Sequence, residues 1–236
     1  MSTNKHLSHL YATVPAIALA LQGTAALGDI DPVSRESTVQ AYWFMNSPPF
    51  GEGDSVSDGT TSFDYFSRSF TSGSGAAAQT SYLVSNGAFA SAVARGVDNG
   101  SVMQHAGSGG TSIFTYVFIL TDPTTLYVNG SLGRDAVGLF TGFGTVRIYD
   151  DVTGTLVYDR STGPLFDLEV NFSDTYAASA GRYRFVVSAV NSGNGGAPGS
   201  YTSWAQALLT TPSPGAASLL MLSSVAAYRR RRQALS

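Results

Sequence analysis

The sequence contains no cysteine among its 236 residues. Disulfides, thiolate metal sites and cysteine nucleophiles are therefore excluded, and the fold depends on core packing alone. Charge is also scarce, because charged residues make up 12% of the chain and Lys5 is the only lysine. Hydrophobic residues reach 43%, and there are 26 glycines. This balance is typical of an exported all-β protein rather than a cytosolic helical enzyme.

The few charges are unevenly distributed along the chain. All sixteen acidic residues lie between Asp29 and Asp174, whereas Lys5 and four of the arginines lie near the two ends. Residues 29–211 carry eight arginines against sixteen acids, a net charge of −8. A body this acidic repels phosphates, so nucleic acid is excluded as a partner.

The first 28 residues have the three zones of a secretory signal peptide. Residues 1–11 carry Lys5, His6 and His9, residues 12–21 read ATVPAIALAL, and residues 22–28 are small. This order predicts a cleaved N-terminal signal helix and export from the cytoplasm. Small residues place the cleavage after Ala26 or after Gly28.

The C-terminal end pairs a short apolar run with a basic cluster. Residues 215–228 are apolar or small, and the four arginines that follow are Arg229, Arg230, Arg231 and Arg232. As a helix this run spans about 21 Å, which is shorter than the hydrocarbon core of about 30 Å. The arginines resist translocation, so the preceding residues face outward. The pattern predicts a short transmembrane helix that serves as a temporary anchor.

This tail resembles a PEP-CTERM sorting signal. The tripeptide Pro212, Ser213 and Pro214 matches the motif, residues 215–228 match the helix and residues 229–232 match the basic end. Ser213 departs from the usual glutamate. The resemblance implies a bacterial protein that is exported, held in the inner membrane by this tail and processed by an exosortase-type enzyme, after which it is located on the cell surface or outside the cell. It also implies an association with exopolysaccharide and biofilm.

The chain therefore divides into a signal peptide at 1–28, a body at 29–210 and a sorting tail at 211–236. Within the body, short strand-like segments alternate with Gly, Asp, Asn and Pro, which predicts an all-β domain, either a β-sandwich or a jelly roll. Turns are predicted at Asp122-Pro123, at Asn129-Gly130 and at Asp151 to Gly154, and surface loops at 46–59 and 96–110. The predicted strands are 37–45, 60–70, 79–85, 87–95, 112–120, 125–132, 144–150, 155–160, 166–173, 182–190 and 201–210.

The body has few residues suited to catalysis. His105 is its only histidine and lies near Ser101 and Ser108 in a Gly/Ser-rich segment without a nucleophile elbow. We interpret it as a loop histidine, since a triad is recognised by geometry. Asp167 and Glu169 share the spacing of one strand face and are the candidates for a glycosidase pair. We therefore expect no enzymatic activity, and a polysaccharide-active enzyme is the alternative.

Calcium is the one metal for which the body offers candidate ligands. Glu52, Asp54 and Asp58 fall within one polar segment, and Asp150 and Asp151 lie at a predicted hairpin turn. Hard cations prefer several such oxygen ligands. Aspartates in turns usually hydrogen-bond their own backbone instead, and the spacing matches no EF-hand. No cofactor is therefore expected, and calcium stays open.

Aromatic side chains on an exposed sheet face are candidates for stacking on sugars. Trp43 and Trp204 are the principal candidates for a polysaccharide partner. Most aromatic residues of a sandwich fill its core, so each candidate has core packing as its alternative role. The further aromatic candidates are Tyr42, Tyr65, Tyr127 and Tyr149.

Overall fold

The computed structural model describes residues 30–45, 53–98, 106–136, 141–162, 169–192 and 199–212. The predicted signal peptide and most of the sorting tail lie outside these ranges. All regular elements within them are strands. The twelve strands are β1 (Ile30–Met45), β2 (Gly53–Thr60), β3 (Phe66–Ser72), β4 (Gly75–Val84), β5 (Gly87–Asp98), β6 (Ala106–Leu120), β7 (Thr124–Ala136), β8 (Thr141–Asp150), β9 (Leu156–Ser161), β10 (Val170–Ala178), β11 (Gly181–Ser192) and β12 (Gly199–Thr210).

The strands form two six-stranded antiparallel sheets. Sheet A has the order β2-β1-β6-β11-β8-β9, and sheet B has the order β10-β7-β12-β5-β4-β3. The inner faces of the two sheets pack on a shared core, as in a β-sandwich. The prediction of an all-β sandwich is therefore confirmed for the described body.

Several local predictions are wrong. Residues 53–59 were predicted as part of a loop but lie in edge strand β2, which pairs with β1 through backbone hydrogen bonds that require no β-branched side chain. Of the second predicted loop, residues 96–98 belong to β5 and residues 106–110 to β6, and the predicted strand 60–70 is interrupted at 61–65. Asn129-Gly130 was predicted as a turn but lies inside β7. A Cβ at Gly130 would overlap the carbonyl oxygen of Gln206, so this glycine permits close strand approach rather than a turn.

The hairpin between β8 and β9 confirms the predicted turn. The Asp150 carboxylate accepts hydrogen bonds from the backbone N–H groups of Val152 and Thr153, each at 2.9 Å. These bonds to the charged form lower the pKa of Asp150. Gly154 closes the turn with φ +71°, a conformation that L-residues with a side chain rarely adopt.

The core takes large side chains from sheet A and mostly small ones from the central strands β5 and β12 of sheet B, while β7 of sheet B adds Leu126, Val128 and Leu132. Alternation on β11 turns Tyr183, Phe185 and Val187 inward, as predicted, and leaves Arg182 and Arg184 outside. The facing strands β5 and β12 present alanines instead. Small side chains opposite large ones let the two layers interdigitate at interior density. The buried alanines of these two strands are Ala88, Ala90, Ala92, Ala94, Ala205 and Ala207.

A second, polar region of the interior is centred on Arg35 of β1, which is 1% exposed. Its guanidinium donates to the carbonyl oxygen and the hydroxyl of Ser81 on β4, at 2.9 and 2.7 Å, and to the carbonyl oxygen of Asp64. Burial lowers the pKa of Arg35, and the charge of Asp64 partly opposes that shift. These bonds tie sheet A to sheet B, and the Arg35 guanidinium also lies 5.6 Å from the centre of the Phe114 ring.

Ion pairs also link the sheets along both lateral edges. At one edge, Arg68 of β3 contacts Asp58 of β2 at 2.7 Å. At the other, Arg160 of β9 holds both carboxylate oxygens of Asp174 on β10, at 2.8 and 3.0 Å. Each pair joins an edge strand of sheet A to an edge strand of sheet B.

Candidate binding face

On the outward face of sheet A, Arg147, Arg182 and Arg184 form ion pairs with acidic side chains, while Glu36 of β1 takes part in none of these pairs. Arg147 contacts Asp159 at 3.0 Å. Arg182 and Arg184 both contact Asp151, at 2.8 and 3.5 Å. The Arg184 guanidinium also lies 4.9 Å from the centre of the Tyr149 ring. These three arginines therefore already have partners within the protein.

The outward face of sheet B is almost free of charge. In the part of the chain that the structure describes, its strands turn only Arg95 and Asp135 outward. These two residues occupy one row, on either side of Thr202. Most other positions on this face are hydroxyl, amide or aromatic residues.

One row of uncharged polar residues crosses all six strands of sheet B. Successive residues of the row are register partners on neighbouring strands. The neighbours of Ser91 and Gln206 along the chain are buried alanines, so alternation turns the row outward. Five strand spacings of about 4.8 Å give the row a length of about 24 Å. We call this set the polar row; in order from β3 to β10 it is Ser67, Thr80, Ser91, Gln206, Ser131 and Asn171.

A stack of three aromatic rings lies on one side of the polar row. The rings of Tyr82 and Phe89, on β4 and β5, have centroids 4.9 Å apart and an interplanar angle of 27°. Tyr65 extends the stack, 6.1 Å from Tyr82 and inclined by 26°. Phe89 is buried, whereas Tyr65 is 66% exposed. The stack thus has a fixed inner ring and an outer ring that is open to solvent.

Trp204 lies on the opposite side of the polar row. It stands on β12 between Val93 of β5 and Gly133 of β7, its register partners. A Cβ at Gly133 would overlap the indole ring, so the ring covers this glycine. The missing side chain lets the indole lie against the strand, which restricts its orientation before any ligand binds.

The aromatic candidates from the sequence divide among three environments. Trp204, Tyr65 and Tyr127 lie on the outward face of sheet B, and Tyr127 is 40% exposed. Trp43 is directed toward the interior, where it packs against Gly73 in the turn between β3 and β4. Tyr42 and Tyr149 are on the outward face of sheet A; the Tyr42 hydroxyl donates to the carbonyl oxygen of Asn191.

Sequence reasoning missed Tyr82 and Phe89 as members of this face. The alternation of β4 and β5 contained the signal, because each aromatic residue has the same parity as Thr80 or Ser91. The alanine-rich inner face of these strands is weakly hydrophobic, so the sequence did not show which face was buried.

The candidate calcium ligands lie on strands or at a turn. Asp54 and Asp58 are in β2, and Glu52 lies outside the described residues. The Asp58 carboxylate accepts from the Gly59 backbone N–H at 2.8 Å and from Arg68, and these bonds lower its pKa. Within the described ranges, no three His, Asp or Glu side chains cluster in a way that would hold a metal ion.

The candidate catalytic residues are not brought together among the described residues. Ser108 is fully buried at the start of β6, while Ser101 and His105 lie outside the described ranges. Glu169 is exposed before β10, and its proposed partner Asp167 is also outside those ranges.

Of the sorting motif, Pro212 alone is described; it is exposed and follows β12. Ser213, Pro214 and Arg229 to Arg232 lie outside the described residues. Within the described residues, the structure contains no helix long and apolar enough to cross a bilayer.

No protein-family model and no curated protein matches the sequence. Among solved structures, the enzymatically active domain of bacteriophage CBA120 tailspike protein 4 is similar at 13% identity and a TM-score of 0.24. That match covers 59% of this chain and 20% of the tailspike chain. The VP2 subviral particle of infectious bursal disease virus is similar at 14% identity and a TM-score of 0.28, over 79% of this chain and 59% of VP2. TM-scores this low support no inference about function.

Proposed function

We propose that this chain is an exported bacterial surface or matrix protein without enzymatic activity, whose body associates with extracellular polysaccharide. The observation that carries the binding part is the outward face of sheet B, where an uncharged polar row runs between Tyr65 and Trp204. Hydroxyl and amide groups form hydrogen bonds with sugar hydroxyls, and aromatic rings present flat apolar surfaces to sugar rings.

The export part of the proposal rests on the two ends of the sequence. A signal peptide at 1–28 delivers the chain across the inner membrane, and the helix at 215–228 holds it there with Arg229 to Arg232 on the cytoplasmic side. An exosortase-type enzyme then recognises Pro212, Ser213 and Pro214 and releases the body to the surface or the extracellular matrix. The helix is short for a bilayer, which suits a transient anchor.

Mass spectrometry of the product recovered from the producing bacterium tests the export part. We expect a mature chain that lacks residues 1–28 and the arginine cluster. A surface-located product that keeps its final arginines would refute processing, and one that keeps its leader would refute signal cleavage.

A polysaccharide panel tests the binding part. The purified protein is assayed in parallel for binding and for release of reducing ends. Binding without turnover is the expected result. Turnover that disappears in Glu169→Gln would instead support the glycosidase alternative.

A further inference from the structure

We propose that the polysaccharide bound by this protein is uncharged and lies along the polar row, across the strands, between the Tyr65 stack and Trp204. This inference rests on the proposed function and names the ligand class and its path. Its first support is the length and continuity of the row. Six strands contribute one uncharged polar side chain each, and together they span about 24 Å, which suits an extended oligosaccharide rather than a single sugar.

The second support is the placement of apolar surfaces on both sides of the row. On one side, Tyr82, Phe89 and Leu208 occupy successive strands in register, and Tyr65 stacks on Tyr82. On the other side, Val93 and Trp204 are neighbours on β5 and β12. A sugar chain has alternating apolar faces and hydroxyl edges, so a polar track between apolar flanks complements it.

The third support is that the aromatic rings are held in position without a ligand. Tyr82 lies between Tyr65 and the buried ring of Phe89, and the indole of Trp204 rests on Gly133. Ordering these side chains costs little on binding, because their orientations are already restricted.

Charge selects the ligand class. Among the residues that the structure describes, Arg95 and Asp135 are the two charged ones on this face; they are of opposite sign and lie in the next row beyond Trp204. The polar row itself offers no cation to a carboxylate. A uronate polymer would lose water from its charged groups without gaining an ion pair. A neutral polymer replaces its hydrogen bonds to water with similar hydrogen bonds to the hydroxyl and amide groups of the protein.

Binding of the full chain to immobilised polysaccharides tests this inference. The neutral probes are dextran, a mixed-linkage β-glucan and galactomannan, and the acidic probes are alginate and polygalacturonate. We expect binding to at least one neutral probe, with an affinity that stays constant between low and high salt. Tyr65→Ala, Trp204→Ala and Gln206→Ala should each weaken it by about fivefold to tenfold, which corresponds to about 1–1.4 kcal/mol.

Matched control variants on sheet A separate binding from folding. Tyr149→Ala and Gln40→Ala remove the same residue types from the outward face of the other sheet and should leave affinity unchanged. Circular dichroism and thermal unfolding identify any variant that has lost its fold, and Trp204→Phe then replaces Trp204→Ala.

The possible outcomes distinguish failure of this inference from failure of the proposed polysaccharide association. Salt-sensitive binding confined to the acidic probes would overturn the inference and leave polysaccharide association intact. Neutral binding at full strength in folded Tyr65, Trp204 and Gln206 variants would do the same, as would equal losses in the sheet A controls. Absence of binding to every probe would instead overturn the proposed polysaccharide association.

Discussion

The two sheets of this sandwich fill the centre of the core with side chains of opposite size. Sheet A supplies large inward residues such as Phe114, Tyr116 and Phe185, and sheet B supplies alanines such as Ala90, Ala92 and Ala205. Each sheet needs the other, since rings without small partners would clash and alanines without rings would leave voids. The alanines of β5 and β12 add little apolar surface of their own, so the packing of these two strands depends on the rings of sheet A. The larger apolar side chains of sheet B are Leu126, Val128, Leu132 and Leu209.

The outward faces of the two sheets differ in charge. On the outward face of sheet A, arginines form ion pairs with acidic side chains of the same protein, such as Arg147 with Asp159 and Arg182 with Asp151. Sheet B leaves the uncharged polar row and Trp204 half-exposed or exposed to solvent. This difference is the reason for proposing sheet B, rather than sheet A, as the ligand-binding face.

The largest effect should come from removing a ring of sheet A. Phe185 is fully buried and meets Phe114 edge to face, with centroids 6.3 Å apart. Phe185→Ala should lower the free energy of unfolding by about 3–5 kcal/mol, because the alanines opposite cannot fill the cavity. Urea denaturation measures this loss. Val186→Ala, on the outward side of the same strand, is the control, and an equal loss there would contradict the comparison.

Enlarging an alanine of sheet B should lower the free energy of unfolding by a smaller amount, because the larger side chain overpacks the core. Ala92 is fully buried between its register partners Gln79 and Ala205. Ala92→Leu should cost about 1–3 kcal/mol of unfolding free energy, because the added methyl groups force neighbouring side chains off their rotamers. The same denaturation assay on Ser91→Leu, which faces outward, provides the reference. A stabilised Ala92→Leu would show that sheet B leaves unfilled space.

The glycine turns allow one matched comparison between the sheets. Gly73, in the sheet B turn, has φ +55°, and Gly154, in the sheet A turn, has φ +71°. A Cβ at Gly154 meets nothing within 4 Å, whereas a Cβ at Gly73 would lie 2.7 Å from Cγ of Trp43. Gly154→Ala should cost about 1 kcal/mol for its left-handed backbone alone.

Gly73→Ala should cost more than Gly154→Ala, since the clash with Trp43 adds to the backbone term. Thermal unfolding of both variants measures the difference. Repeating Gly73→Ala in a Trp43→Ala background should bring the two costs together. If they stay apart, contact with the indole is not the cause.

The smallest effect concerns the edge pairs and depends on pH. Hydrogen bonds from Arg160 chiefly lower the pKa of Asp174, with a contribution from Tyr158. A lowered folded-state pKa means that the carboxylate stabilises the fold above the unfolded pKa of about 3.9 and that this contribution is lost as pH falls through the folded value. Asp174→Asn should therefore cost about 0.2–1 kcal/mol at neutral pH.

Denaturation of Asp174→Asn at a series of pH values checks this sign. The difference from the unmodified protein should shrink as the pH falls through and below 4, which is the acidic side of the unfolded pKa of about 3.9. Asp58→Asn removes the more exposed pair at the other edge and should have the smaller effect. A difference that grows on acidification would contradict the assignment.

Much of the strand pattern was readable in the sequence because alternation encodes it locally. Tyr183, Phe185 and Val187 turned inward as predicted, and the Asp151 to Gly154 hairpin formed where its turn residues indicated. Strand prediction failed where a segment without strand-like composition pairs with a neighbouring strand in the folded protein. Residues 53–60 have weak strand propensity, and β1 recruits them as an edge.

The candidate face shows the same division between local and tertiary information. The sequence identified Trp204 and Trp43 as equal candidates, and only the pairing of strands separated them: one rests on Gly133 outside sheet B, and the other packs on Gly73 inside. The polar row could not be foreseen, because it joins Ser67, Thr80 and Ser91 of three consecutive strands to residues of β12, β7 and β10, which lie far away in the chain. Register between strands is a long-range property that no short window of sequence contains.

By itself, the sequence determined that the body is built of β-strands, that it contains no disulfide and that its charge is acidic. These properties follow from residue type and local alternation, which act over a few neighbours. Only the tertiary structure decided which face of each strand meets the core and which residues meet across strands. It thereby placed uncharged groups from six strands in one line, since sheet register brings together residues that the chain keeps apart.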